Sequence, residues 1–207
     1  MQYPVTIAPE YDLAQAAARE ADRPVLRSVF LDHRGYAVAS NGFIMAVVPI
    51  KYAGPDAILP LEALRSYRKV ERGVVAELTI DFDAQLATVT GTGRHDRSSS
   101  WPLIQGSYPN WPTIIPVLGN GDGDNVHSAY APDSVQPLCL AINTRVFCPM
   151  AVSASYPGLI LGYGGALGVI MPTFIEQWPE YSAHTIAAVK MLREKLIATP
   201  LEATHSC

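Results

Sequence analysis

The stretch "YAVASNGFIMAVVPI", Tyr36 to Ile50, decides the fold that we predict for this chain. Two apolar runs flank Asn41 and Gly42, and Asn-Gly between such runs is the strongest short-range signal for a β-hairpin. Working outward, "VLRSVFLD" precedes this hairpin and "AILP" follows it, each a short apolar run bounded by turn residues. The sequence therefore predicts a meander of antiparallel strands at its centre.

Two segments beside these strands have helical composition. "EYDLAQAAAREADRP" offers Asp12 as an N-cap and strong helix formers, and Pro24 ends it. "LEALRSYRKVER" is a second helix that ends at Gly73, followed by the strands "VVAELTIDF" and "QLATVTGTG" and a polar "RHDRSSS" tip. The order strand, helix, strands thus occurs twice, and we predict an α+β fold with two helices on one face of a continuous antiparallel sheet.

The rest of the chain predicts a linker and a shortened repeat of this pattern. Residues 117–137 are rich in Gly, Asp, Asn, Ser and Pro and lack periodicity, which is typical of a linker or mobile loop. Beyond them, "LCLAIN" is predicted as a strand, "TRVFCPMAVSA" as a helix, "GLILGYGG" and "LGVIMP" as strands, and residues 182–198 as a last helix. This organisation gives a complete domain over 1–117, a linker over 118–137 and a partial domain over 138–207.

Composition indicates a globular protein of the reducing cytoplasm. The chain has 207 residues, 49% of them hydrophobic, and neither an apolar run long enough to span a membrane nor a basic-then-apolar start typical of a secretion signal. Its three cysteines form no CxxC or Cys/His ligand pattern, which argues against a disulfide framework. The net charge of -4 does not favour a polyanion as partner, although an acidic protein can carry a local basic face.

Such a basic face is predicted on the second helix. Arg65, Arg68, Lys69 and Arg72 recur at helical spacing on the side opposite the apolar residues. Two interpretations stay open at this point, a solvated helix surface and a stripe that contacts phosphates.

Enzyme and metal signatures are weak. The sequence has no GxSxG, HExxH, Walker or dinucleotide motif, and the adjacent His95 and Asp96 are a weak candidate acid/base pair, so a hydrolase is the minor alternative. Asp122 and Asp124 have calcium-loop spacing, but Val126 and Asp133 stand where such a loop needs a ligand at its fifth position and a Glu at its twelfth. We therefore expect no catalytic residues, no metal and no cofactor.

The order of several segments carries a family resemblance. "DRPVLRSVFLD", "YAVASNGFIMAV", "ILPLEALRSYRK" and "GSYPNWPTIIP" together resemble one domain of the bacterial DNA polymerase III beta subunit, the sliding clamp. "LAINTRVFCPMAVSA" to "LGVIMP" resembles the last half-domain of that family, so that the resemblance covers most of residues 5–116 and 138–174. It implies clamp-like repeats of antiparallel sheet with helices on one face, one domain complete and a second partial.

The resemblance implies a mechanical function. Clamp domains join edge to edge into a ring, and basic helix faces inside it contact double-stranded DNA without reading its sequence. A processivity factor of this kind is not an enzyme and works as a homo-oligomer. The residues implied to contact DNA are Arg19, Arg23, Arg65, Arg68, Lys69, Arg72 and, on the predicted third helix, Arg145.

The resemblance also implies a groove that holds peptides of a DNA polymerase or other partners. Its residues would be Gly42, Pro116, Val169, Met171 and Pro172, with "YPNWPTIIP" as a stiff, extended connector beside it. Alternatives stay open: residues 169–172 are equally typical of a core strand, and "YPNWPTIIP" of a buried proline-rich loop.

One segment departs from the family. Asn41 to Met45 read Asn-Gly-Phe-Ile-Met where clamps commonly have Asp-Gly-His-Arg-Leu, so the polar rim of the groove is altered and partner specificity does not carry over. A clamp-derived binding module or replication regulator that does not encircle DNA is therefore the alternative function.

Overall fold

The computed structural model describes residues 1–20, 22–68, 75–92, 97–115, 130–147, 149 and 157–172. Within these residues, ten strands form two antiparallel sheets. The six-stranded sheet has the order β5-β2-β3-β4-β10-β9, with β2 Ser28–Asp32, β3 Tyr36–Ser40, β4 Ile44–Pro49, β5 Ala57–Pro60, β9 Gly158–Leu161 and β10 Leu167–Ile170. The four-stranded sheet has the order β1-β6-β7-β8, with β1 Gln2–Val5, β6 Val75–Asp81, β7 Leu86–Thr92 and β8 Arg97–Pro102.

The α+β class and the repeated order of strands are confirmed. The prediction that one continuous antiparallel sheet contains all the strands is wrong, because the strands form two sheets. The first repeat of the pattern contains β1 to β4 and the second contains β5 to β8. Strand β1 of the first repeat pairs with β6 of the second, and β5 of the second repeat pairs with β2 of the first, so each repeat contributes one strand to the other's sheet. Buried side chains of both sheets share one core. Hydrophobic periodicity shows which segments are strands, but it does not show which strands pair across such an exchange.

The predicted hairpin is confirmed, with β3 and β4 paired in register from Tyr36 opposite Pro49 to Ser40 opposite Met45. Gly42 has a φ of 93°, which a residue with a side chain rarely adopts. The Asn41 side-chain oxygen accepts the backbone N–H groups of Phe43 and Ile44, both at 2.9 Å. The side chain of Asn41 thus stabilises the turn that the Asn-Gly sequence predicts.

Two α-helices are present among the described residues. Helix α1, Leu61–Arg68, buries Leu61, Ala63 and Leu64 and packs against strands of both sheets, so the second predicted helix is confirmed to residue 68. Helix α2, Pro132–Ala141, packs on β4 and β10. Among the described residues, neither helix is long and apolar enough to cross a membrane.

The predicted first helix is wrong, because only Leu13–Gln15 form a single 3-10 turn. Asp12 makes no capping bond with its side chain there and instead pairs with Arg68, with 3.1 Å between Oδ1 and Nη1. The N–H of Ala18 donates to the carbonyl of Leu26 at 2.9 Å, where a helix would have bonded it within the segment. Tertiary hydrogen bonds therefore override the helix propensity of the alanines, which are buried in the core.

The C-terminal predictions are partly wrong. The first four residues of "LCLAIN", 138–141, form the end of α2 rather than a strand, since a short apolar run does not distinguish a buried helix from a strand and Pro132 starts a helix upstream. Residues 144–147 of the predicted third helix are not helical, and residues 116–129 and 182–198 lie outside the described part.

Strands β9 and β10 are confirmed, and β10 pairs with β4. The predicted domain boundaries at 117 and 137 stay a prediction, although β9 and β10 extend the sheet begun by the first segment. The segment "RHDRSSS", predicted as a polar tip, is shorter than expected, because Arg97 to Ser100 are part of β8.

A buried carboxylate fixes the "YPNWPTIIP" segment to the six-stranded sheet. Asp32 is 2% exposed at the end of β2, and its Oδ2 accepts the Trp111 indole N–H at 2.9 Å. Arg34 donates to both oxygens of the same carboxylate, at 2.8 and 2.6 Å, and its guanidinium lies 5.0 Å from the Trp111 ring centroid. These charge-assisted bonds hold Trp111–Ile114 as a 3-10 turn against the sheet, where we predicted extended chain.

We expect Trp111→Phe to lower the free energy of unfolding by about 2 kcal/mol, since it removes one hydrogen bond to a buried charged group. Urea unfolding measures the change. Trp101→Phe, which removes the same atoms from a half-buried tryptophan of β8, is the matched control. Equal losses in the two variants would contradict the special role of the Asp32 bond.

The stability contributed by Asp32 should disappear in acid. Hydrogen bonds from Arg34 lower the pKa of Asp32 from 3.8 to about 2, against the opposing effect of burial. Because the folded-state pKa is depressed, the contribution of about 2 kcal/mol is present above pH 3.8 and is lost as the pH falls towards 2. Unfolding midpoints measured through this range should fall more steeply in the wild type than in Asp32→Asn; parallel curves would refute the assignment.

Candidate partner-binding pocket and basic surface

An apolar pocket of about 140 Å³ lies where the β3–β4 hairpin, the connector and the end of β10 meet. The hairpin is brought next to β10 because β4 and β10 pair in register, with Met45 opposite Val169. The connector closes the other side, held by the Trp111 bond to Asp32 and by Tyr108, whose ring stacks on Phe30 with centroids 5.0 Å apart. Three segments distant in sequence thus build one pocket.

Three of the five predicted groove residues, Gly42, Val169 and Met171, line this pocket together. Pro172 follows Met171 but is not among the lining residues, and Pro116 lies outside the described part. Val169 is 2% exposed and packs in a cluster with Val38 and Leu159, so it is a core residue and a pocket residue at once.

Sequence reasoning missed several residues of the pocket wall, namely Phe43, Tyr108, Trp111 and Ile114. Three of the four belong to "YPNWPTIIP", whose aromatic residues were the available signal. For Phe43 the signal was a large apolar side chain directly after an Asn-Gly turn, where polar residues are the rule. Its side chain is 65% exposed.

The predicted DNA-contacting residues fall into two groups and one isolated residue. Arg19, Arg65 and Arg68 line a shallow depression of about 600 Å³ beside α1, and this group is the one with an excess of positive charge. Arg19 also borders a second depression of about 490 Å³ with Arg23, but Glu20, Asp22 and Asp133 line it as well. Arg145 is exposed after α2 and borders neither depression, and Lys69 and Arg72 lie outside the described residues.

Arg68 has a structural role in addition. Its guanidinium pairs with Asp12 at 3.1 Å and donates to the carbonyl oxygens of Tyr11 and, at 3.4 Å, Pro9. These contacts link α1 to residues 9–12, at the start of the segment that we predicted as the first helix. Arg19 and Arg65 are exposed and make no ion pair within the described part of the chain.

A cluster of Asp32, His33 and Asp56 has potential metal-binding atoms within 4.8 Å of one another. The Asp32 oxygens already accept hydrogen bonds from Arg34 and Trp111. The Asp56 Oδ1 atom accepts the backbone N–H of His33 at 2.8 Å and lies 2.7 Å from Nδ1 of the same His33. Since these oxygens already accept hydrogen bonds from the protein, we propose no metal site at this cluster. The His95-Asp96 pair and the calcium-like residues 122–125 lie outside the described part.

No protein-family model and no curated protein matches this sequence. Solved structures do match it. The DNA polymerase III subunit beta from Pseudomonas aeruginosa gives a TM-score of 0.58 at 14% identity, over 84% of this chain and 66% of that chain. The Helicobacter pylori beta clamp bound to a DNA ligase peptide gives 0.59 at 14% identity, over 84% and 65%. The DNA polymerase III beta chain from Streptococcus pneumoniae TIGR4 gives 0.54 at 15% identity, over 80% and 61%.

The class of fold is thus an α+β arrangement of two antiparallel sheets with helices. More particularly, the chain has the fold of the bacterial beta sliding clamps over about four-fifths of its length. It spans just under two thirds of the Pseudomonas clamp. The TM-scores of 0.58 and 0.54 establish the shared fold, and an identity of 14–15% does not extend the likeness to activity.

Proposed function

We propose that this protein is a sliding-clamp-like processivity factor that holds partner proteins through the apolar pocket and contacts DNA through the basic surface beside α1. The observation that carries the proposal is the apolar pocket itself, built by the hairpin, the connector and β10 on a clamp fold. The function is mechanical: such a protein tethers a DNA polymerase or another replication protein in the cytoplasm and catalyses no reaction.

The pocket supports the partner-binding part of the proposal. It is concave, its lining residues in the described part of the chain are uncharged, and it carries a flexible methionine, Met171, 41% exposed at its rim. Methionine suits a surface that receives different apolar side chains. The Helicobacter clamp with the same fold was solved with a DNA ligase peptide, which makes a linear peptide the natural kind of partner to test.

The basic surface supports the DNA-binding part. Arg19 and Arg65 are exposed, near each other and without a described ion pair, and Arg68 lies beside them. Arginines that contact phosphates position a protein on double-stranded DNA without reading its sequence. Arg23, Lys69, Arg72 and Arg145 remain predicted contacts, and we propose that a homo-oligomer brings such surfaces around the duplex.

A partner-binding module that does not encircle DNA is the second candidate. One observation favours it: Arg68 of the basic surface is already engaged by Asp12, at 3.1 Å. The solution mass from light scattering at two protein concentrations separates the candidates. A discrete oligomer supports a ring, whereas a monomer at both concentrations removes the ring and leaves the module.

We expect Arg19→Ala with Arg65→Ala to weaken binding to a duplex of random sequence. The loss should be at least tenfold at low salt, and the slope of log affinity against log salt should fall by about 2, one for each lost phosphate contact. Fluorescence anisotropy of a labelled duplex measures both quantities.

The matched control for this DNA experiment is Lys51→Ala with Arg97→Ala. It removes the same net charge from exposed positions that do not line the basic depression. If both double variants lose affinity equally, net charge rather than this surface governs DNA binding. If the wild type does not bind the duplex at all, the DNA-binding part of the proposal is wrong.

We expect Met171→Ala to weaken the binding of a peptide with Leu and Phe side chains by about tenfold, because it removes an apolar contact from the pocket rim. Titration calorimetry measures the affinity. Leu161→Ala removes an exposed apolar side chain of β9 that does not line the pocket, and it should leave the affinity unchanged. Equal effects would place the peptide elsewhere.

A further inference from the structure

A second concavity, of about 300 Å³, lies where residues 103–108, the start of β5 and the β6–β7 turn meet. We call it the Asp56 pocket, after the carboxylate in its wall. It has Tyr108 in common with the apolar pocket and no other lining residue. Its volume is at the lower end of the roughly 300–1,000 Å³ typical of small-molecule sites. The Asp56 pocket is therefore a separate candidate site.

Backbone hydrogen bonds hold the walls of the Asp56 pocket in place. The Ile104 N–H donates to the Ile58 carbonyl of β5 at 3.0 Å. The Leu103 N–H donates to the Gln85 carbonyl of the β6–β7 turn at 2.9 Å. One short segment is thus bonded to both of the other segments that form the pocket. A pocket formed in advance costs a ligand little ordering of the protein.

Two acceptor atoms of the lining residues have no donor within the described part of the chain. The Gln85 Nε2 donates to the Phe82 carbonyl at 2.7 Å, and the Gln105 Nε2 donates to the Gln85 Oε1 at 2.8 Å, which leaves the Gln105 Oε1. The Asp56 Oδ1 accepts the backbone N–H of His33 at 2.8 Å, which leaves the Asp56 Oδ2. These two oxygens suit a ligand that donates hydrogen bonds.

The charge and the aromatic side chains of the pocket suit a cation. Asp56 lines it with a half-exposed carboxylate, and within the described part of the chain no Lys, Arg or His lines it. Phe30, Phe82 and Tyr108 also line it, and the Phe30 and Tyr108 rings are stacked with centroids 5.0 Å apart. A cation is attracted both by a carboxylate and by the faces of aromatic rings. The pocket thus combines a negative group with an apolar lining.

We infer that the Asp56 pocket binds a planar organic cation of the amidinium or guanidinium type carried on an apolar stem. Such a cation is weakly hydrated and presents its N–H donors in one plane, so it pairs with a carboxylate and lies against aromatic rings at the same time. Its N–H groups donate to the Asp56 Oδ2, and its stem packs on Phe30 and Phe82. This site is independent of the proposed binding of partner proteins and of DNA.

The test titrates the full chain with benzamidine, a planar amidinium on a benzene ring, and with benzamide, its uncharged near-isostere. Protein-detected NMR gives the affinity for each probe. We expect the wild type to bind benzamidine about fivefold more tightly than benzamide, because only benzamidine pairs with the Asp56 charge. In Asp56→Asn the affinity for benzamidine should fall to that for benzamide. The Asn side-chain oxygen can still accept the His33 N–H, so the local fold is kept.

Phe82→Ala should weaken the two probes alike, since it removes the same aromatic wall from both. Glu62→Gln is the matched control for charge, because its side chain is 47% exposed, against 50% for Asp56, and does not line the pocket. Equal affinity of the wild type for the two probes, or equal effects of Asp56→Asn and Glu62→Gln, would overturn the inference. Failure of benzamidine to bind the wild type, or unchanged binding of both probes in Phe82→Ala, would overturn it as well.

A third probe, N-acetyl-arginine amide, separates two sources of the same cation. It carries the planar cation on an aliphatic stem, as an arginine of a peptide does. Tighter binding than benzamidine would assign the pocket to a peptide arginine, and weaker binding would assign it to a free aromatic cation. Both assignments require that Asp56→Asn weaken the probe; if it does not, the ion pair with Asp56 is refuted.

Discussion

The pocket depends on one buried carboxylate. Asp32 ends a central strand, and its two oxygens receive the guanidinium of Arg34 and the indole N–H of Trp111. An ionised group at 2% exposure is tolerated only when its hydrogen bonds are made, so the connector has little freedom to lie elsewhere. The position of the connector then defines the wall against which the hairpin and β10 form a concavity. A pocket made of apolar side chains is thus oriented by a polar interaction at its back.

The exchange of β1 and β5 between the sheets has a comparable role for the basic surface. Because β5 pairs with β2, α1 begins at the edge of the six-stranded sheet and packs against strands of both sheets. This brings Arg65 and Arg68 next to the Leu13–Gln15 turn and Arg19. The ion pair of Arg68 with Asp12 joins the two parts. Charges that belong to different halves of the chain therefore share one face.

Clamp structures share this fold at 14–15% identity, so most of the aligned side chains differ between them and this chain. At the hairpin tip the exposed Phe43 stands beside a pocket whose Ser40 hydroxyl and Trp111 N–H are bonded within the protein, while its enclosed Tyr108 hydroxyl has no hydrogen-bond partner among the described residues. A shared fold leaves such surface chemistry free to differ from one protein to another.

The sequence by itself determined most of the strands, the Asn-Gly hairpin, the second helix and the α+β class, because each is encoded by local periodicity or turn chemistry. It also placed Gly42, Val169 and Met171 in one predicted groove, through a family resemblance, and the structure brings these three together. Tertiary structure decided the rest. The alanines after Leu13 did not continue a helix, since Ala18 bonds to Leu26, and "LCLAIN" became helix because α2 packs on β10. The pairing of strands between the halves, the bond from Asp32 to Trp111 and the exposure of Phe43 depend on contacts between residues far apart in sequence, and local pattern carries no information about such contacts.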